Sequence, residues 1–129
     1  MKEFAESEWQ RAEKSLEAAR KLIDVDPDSS ASRAYYAAFH GATALFALRE
    51  TEFSKHTALR AAVHRDLVKA GIWDIKLGAD FDFLMDLREV GDYGGLTHAM
   101  PEDARQAITA AERILKATAE LSGFPVSFS

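Results

Sequence analysis

Residues 29–49 read SSASRAYYAAFHGATALFALR, and this segment has to be buried on nearly every side. Placed on a helix, Tyr35, Phe39, Ala42 and Phe46 share one face, and Ala34, Ala38, Leu45 and Leu48 flank it. Arg33, Tyr36, His40 and Thr43 line up opposite, so the helix has an apolar body and one polar seam. Its alanines and Gly41 let other helices approach near the lower end of the usual range of about 8–10 Å between axes. The pattern predicts the central helix of a bundle.

The flanking segments supply its neighbours. Between Glu3 and Asp24, Trp9, Ala12, Leu16, Ala19 and Ile23 recur at helical spacing while Glu13, Lys14, Glu17, Arg20 and Lys21 take the other side, which predicts an amphipathic first helix. DVDPDSS ends it at Pro27, with Asp28 or Ser29 placed to cap the central helix. A third helix is expected from a Ser54 cap, with Leu59, Val63 and Leu67 buried and Gly71 closing it, followed by Ile72 and Trp73 as an apolar clasp. Leu77, Phe81, Leu84 and Met85 predict a shorter fourth helix that gives out between Arg88 and Gly91, because GDYGG is too rich in glycine to stay helical. Pro101 at a first helical position, with Glu102 and Asp103 at the positive end of the dipole, opens the last helix. Its core edge is Ala104, Ile108, Ala111 and Leu115, and residues 123–129 form an irregular strap or frayed tail. The expected fold is all-α: an up-and-down bundle of four main helices and one short one, in a single domain over residues 1–129.

Composition removes several function classes. Without cysteine there are no disulfides, thiolate metal sites or cysteine nucleophiles. A formal charge of −5 argues against a protein that coats nucleic acid by charge alone, but leaves room for a local basic face. MKEFAESEWQR does not read as a signal peptide, and no stretch approaches the ~18 apolar residues of a membrane span, so a cytoplasmic protein is expected. A di-iron bundle would need Glu-x-x-His, yet Ala37, Phe53, Ala61 and Gly95 stand three residues before the histidines; no metal or cofactor is expected. GDYGG follows a helix rather than a strand, so it is not a phosphate loop of the Walker or Rossmann type.

Three constellations are left. The seam residues Arg33, Tyr36 and His40 either form a binding wall or are satisfied by neighbouring helices and solvent. His56, Arg60 and His64, four apart, form a stripe that can hold phosphates or face water. Arg88, Asp92 and Tyr93 either clamp a phosphate and stack a base, or form an ion pair beside a buried tyrosine.

SRAYYAAFH at residues 32–40, SKHTALRAAVHRDLVKAG at 54–71 and LREVGDYGG at 87–95, ahead of an alanine-rich last helix, together resemble the HEPN superfamily, particularly its small prokaryotic single-domain members. The resemblance implies a bundle that is usually dimeric and often encoded beside a minimal nucleotidyltransferase. It also implies that several branches act as metal-independent ribonucleases in toxin–antitoxin or defence systems. In those branches an Arg, followed four to six residues later by a His, holds the scissile phosphate while the His serves as acid or base. Arg88 matches the Arg; Asp92 and Tyr93 stand where the His would be, and His98 comes too late.

The expectation is therefore an accessory or toxin-like HEPN protein that binds RNA, a nucleotide or a nucleotidyltransferase partner. Arg88 and Asp92 occupy the catalytic corner, and Arg33, Tyr36, His40, Tyr93, His56 and His64 are the candidate ligand-binding residues. An active metal-independent ribonuclease using Asp92 or His98, and a purely structural dimerisation module, are the alternatives. A homodimer is expected to bury Trp73, Phe81 and Phe83 against its twin.

Overall fold

The computed structural model describes residues 1–93 and 95–128, with Tyr93 as backbone only. Among the described residues five α-helices follow one another: α1 (Lys2–Leu22), α2 (Pro27–Ala47), α3 (His56–Ala62), α4 (Ile75–Tyr93) and α5 (Pro101–Ser122). A π-helical stretch, Val63–Val68, continues α3, and the described residues contain no strand. The all-α bundle expected from periodicity is the one observed. No described helix is long and apolar enough to cross a membrane.

α2 is the axis of the bundle and packs against all four other helices. Ala34, Tyr35, Ala38, Ala42, Leu45 and Phe46 are buried, and a Cβ added to Gly41 would lie 2.4 Å from Leu115 Cδ2. The missing side chain at Gly41 is thus what lets α5 close on α2. The predicted core edges are buried as well: Trp9, Leu16 and Ala19 of α1, Leu59, Val63 and Leu67 of the third helical segment, and Ala104, Ile108 and Leu115 of α5. Each buried Leu or Ile contributes roughly 1.5–3 kcal/mol relative to leaving it in water.

Several local expectations need correction. Pro27 opens α2 rather than merely ending α1, and the cap is Asp26, one residue before it. Its carboxylate accepts from Ser29 N–H at 3.2 Å and from the Ser29 hydroxyl at 2.6 Å, and these bonds hold it below the usual carboxylate range. α3 starts after Lys55 with no side-chain cap, so Ser54 does not serve that role. Gly71 does turn the chain, at φ 78°, but only Trp73 folds into the core behind it; Ile72 stays exposed.

The largest departure is α4, which starts at Ile75 and runs through Gly91 to Tyr93. A Cβ on Gly91 would sit 3.1 Å from the Asp28 carbonyl oxygen, so this glycine lets α4 lie against the start of α2. Packing there, with an Arg88–Asp92 pair one turn apart, outweighs the roughly 1 kcal/mol that glycine costs inside a helix. The tail is a strap: Phe124 stacks on Trp9 at 5.1 Å, Trp9 Nε1–H donates to the Pro125 carbonyl at 2.9 Å, and Ser127 bonds Glu13.

Candidate functional site

The polar seam of α2 faces the end of α4 and the start of α3. The Arg88 guanidinium lies 5.3 Å from the Tyr35 ring and 5.6 Å from the Tyr36 ring, while Arg33 covers Tyr36 at 4.9 Å. Two cations therefore flank one half-exposed phenol. Arg88 Nε–H donates to Asp92 Oδ2 at 3.1 Å, an ion pair whose side chains are 13 % and 31 % exposed; Asp92 thus serves Arg88 as an anchor. The seam of α2 and the Arg88–Asp92 turn of α4 meet.

His56 joins them from α3. Its ring stacks on Phe39 at 4.4 Å and lies edge to face with Tyr36 at 6.0 Å. Its Nδ1 is 2.6 Å from the Tyr35 hydroxyl, which donates when the imidazole is neutral. The neutral form is favoured, because burial and then the nearby positive charge of Arg88 hold His56 below the ordinary imidazole range. Tyr35 is fully buried, and burial pushes its phenol up to about 12, so it stays a donor.

His40, at the far end of the seam, turns toward α1. Its Nδ1 lies 2.9 Å from Glu8 Oε2, yet the two groups are too poorly aligned to count as a hydrogen bond. Burial lowers the affinity of His40 for a proton more than the Glu8 carboxylate raises it. Thr43, the last seam residue, is buried and donates its hydroxyl to the Phe39 carbonyl at 2.7 Å.

His64 does not join this group. The stripe on the third helical segment divides: His56 turns to the α2 rings, while His64 Nε2 and Arg60 Nε approach Asp82 Oδ1 of α4 at 2.9 and 2.8 Å. The Tyr93 side chain lies outside the described residues. Among the described residues no cluster of three His, Asp or Glu side chains has the arrangement of a metal site.

His98 also has a fixed partner. Asp28, in the first turn of α2, contacts His98 Nδ1 at 2.7 Å and accepts from Ala99 N–H at 2.6 Å, which ties the loop before α5 to the start of α2. Sequence reasoning missed four contributors: Tyr35 as a hydroxyl donor, Phe39 as a stacking ring, Glu8 beside His40, and Asp28 beside His98. The first two were visible as aromatic residues of the decisive stretch. The carboxylates belong to pairs that meet only through folding.

Comparison with known proteins agrees with this architecture. The HEPN domain model matches residues 5–121. The chain is 34 % identical over 115 residues to a UPF0332 protein of Thermotoga maritima, covering 88 % of this chain and 87 % of that relative. It is also 34 % identical over 112 residues to a UPF0332 protein of Gloeobacter violaceus, covering 85 % and 89 % respectively. With the family model spanning nearly the whole bundle, the chain belongs to the HEPN domain family.

Proposed function

We propose that this is a HEPN-type accessory protein that binds an RNA strand or a nucleotide on the face formed by Arg33, Tyr36, His56 and Arg88. The observation that carries the reading is the pair of guanidinium groups 4.9 and 5.6 Å from the half-exposed Tyr36 ring. Guanidinium forks suit phosphate oxygens, and an aromatic face between them suits a base, so the arrangement answers both halves of a nucleotide. It also places local positive charge on a chain whose formal charge is −5. Recognition is favoured over turnover because Asp92 is engaged by Arg88 and His56 Nδ1 by Tyr35.

Fluorescence anisotropy with a labelled single-stranded RNA, competed by ATP, tests the reading. Arg33→Ala and Arg88→Ala should each weaken binding and each lower the slope of log affinity against log salt by about one. Absence of binding to both RNA and ATP would overturn it. A homodimer and a minimal nucleotidyltransferase partner belong to the same proposal, to be tested by light scattering and co-purification. Trp73 and Phe81 do not supply the dimer contact, since both are buried in the core of the single chain, and Phe83 is half-buried.

One observation favours a second reading, metal-independent RNA cleavage. Asp28 holds His98 beside the start of α2, where Gly91 packs one turn beyond Arg88. A carboxylate orienting an imidazole is an arrangement suited to a general base. Cleavage that survives EDTA and disappears in His98→Ala would support it; intact RNA after long incubation would remove it.

A further inference from the structure

Among the described residues, the strap of residues 124–128 hydrogen-bonds to one element beyond its own stem, and that element is α1. Trp9 Nε1–H donates to the Pro125 carbonyl at 2.9 Å, Ser127 N–H donates to Glu13 Oε2 at 3.0 Å, and the Ser127 hydroxyl meets the same oxygen. Two of these bonds use main-chain groups of the strap. Four residues along a helix rise about 6 Å and two residues of extended chain span about 6.6 Å, so Trp9 and Glu13, one turn apart, meet alternate strap residues. Phe124 adds side-chain selection by stacking on Trp9 at 5.1 Å with the ring planes 12° apart. This face of α1 is thus a peptide site with a peptide seated in it.

The seating is light. Pro125, Val126 and Ser127 are exposed, and hollows of about 490 and 360 Å³ open on the Phe124 side and the Phe128 side of the strap. The strap joins α5 through Gly123 at φ 81°, and no described atom lies within 4 Å of where a Cβ would stand, so the joint is free to swing. A segment held by a few bonds with open space on both sides opens locally at low cost. Around the same joint Leu48, Leu121 and Val126 are left 38 %, 45 % and 48 % exposed.

An open strap leaves the Trp9 indole N–H and the Glu13 carboxylate without their partners, and the same strap from another copy restores each contact atom for atom. It also brings a second apolar rim to Leu48, Leu121 and Val126, and a reciprocal exchange closes on a two-fold axis. We propose that the α1 face around Trp9 and Glu13 is the docking site for the strap of a second copy of this chain, so that two copies trade residues 124–128 about Gly123. The exchange gives the homodimer proposed above its contact; it rests on that homodimer and not on nucleotide binding.

The chain has no cysteine, so single thiols can report the exchange. Gln10→Cys and Val126→Cys, both at exposed positions, leave Trp9, Glu13, Phe124 and Ser127 in place. A chain carrying both substitutions, treated with the short thiol cross-linker bismaleimidoethane, establishes that the linker spans the pair. The effective concentration of a strap on a short joint is on the order of millimolar, so full-length single variants are mixed at concentrations up to that range before cross-linking. A covalent Gln10→Cys–Val126→Cys dimer should form and increase with chain concentration. Adding Phe124→Ala to the Val126→Cys copy should cut that product about threefold or more, which a random collision would not show. Cross-linking within the doubly substituted chain but never between the single variants, or a mixed product unchanged by Phe124→Ala, would overturn the exchange. Light scattering separates the two readings: a dimer without the mixed product removes the exchange and leaves the homodimer standing, and a monomer at the highest concentration removes both.

Discussion

The two sides of α2 are built on opposite terms. Where it meets α5, the contact is alanine and glycine against leucine and isoleucine: Gly41 faces Leu115, and Ala38, Ala42, Ala111 and Ile114 are buried around it. Where it meets α3 and the end of α4, the contact is made by rings and charges: Tyr35 on His56, Arg33 and Arg88 beside Tyr36, and Arg88 on Asp92. The first side is non-directional and depends on volume. The second is directional and depends on which atom carries a proton. One helix thus anchors the fold with one face and presents chemistry with another, so the two properties should separate under mutation.

The largest effect is expected on the dry side. Leu115→Ala removes a fully buried side chain from the contact with Gly41 and should cost about 2–5 kcal/mol in denaturant unfolding, while protein that remains folded should keep whatever affinity for RNA the wild-type chain shows in the anisotropy test. A parallel loss of RNA affinity in the folded fraction would show that the two faces are not independent.

A smaller effect is expected from Tyr35→Phe, which keeps the ring and deletes the hydroxyl that meets His56 Nδ1 at 2.6 Å. Stability should fall by about 1 kcal/mol, the usual scale for one buried hydrogen bond. Because the hydroxyl donates to the neutral imidazole, its removal should also raise the proton affinity of His56, read by NMR titration of the ring. A stability loss with no change in the His56 titration would place the pair outside the electrostatics of the site.

The most modest effect is a pH dependence confined to the polar side. His56 and His40 are both held below the ordinary imidazole value of 6.5, in each case chiefly by burial. In the window from 6.5 down to their folded values the unfolded chain binds more protons, so stability rises with pH there and is lost as pH falls below about 6.5. Urea unfolding at a series of pH values should show this slope, and it should flatten in a His40→Gln, His56→Gln double variant. An unchanged slope in the double variant would assign it to other groups.

Legibility followed the same division. Buried positions recurring at three and four residues were readable in every helix, as were Pro101 at a helix start and the left-handed Gly71 behind the third helical segment. The extent of α4 was not, because the glycines of GDYGG argue for a break and only the approach of Gly91 to the Asp28 carbonyl explains why the helix continues. The split of the stripe was hidden for a related reason. His56 and His64 differ in surroundings because the π-helical turn from Val63 and the packing of α4 set one against rings and the other against Asp82.

What the amino-acid sequence determined by itself was the set of helices, the face that each one buries and the central place of residues 29–49, because helical periodicity is a local property carried along the chain. What only the tertiary structure decided was which polar groups became partners. Glu8 met His40, Asp28 met His98, Tyr35 met His56 and Arg88 met the two tyrosines across helices far apart in sequence. Such pairs are fixed by how apolar faces dock in space, and the docking brings together side chains whose spacing along the chain carries no trace of the contact.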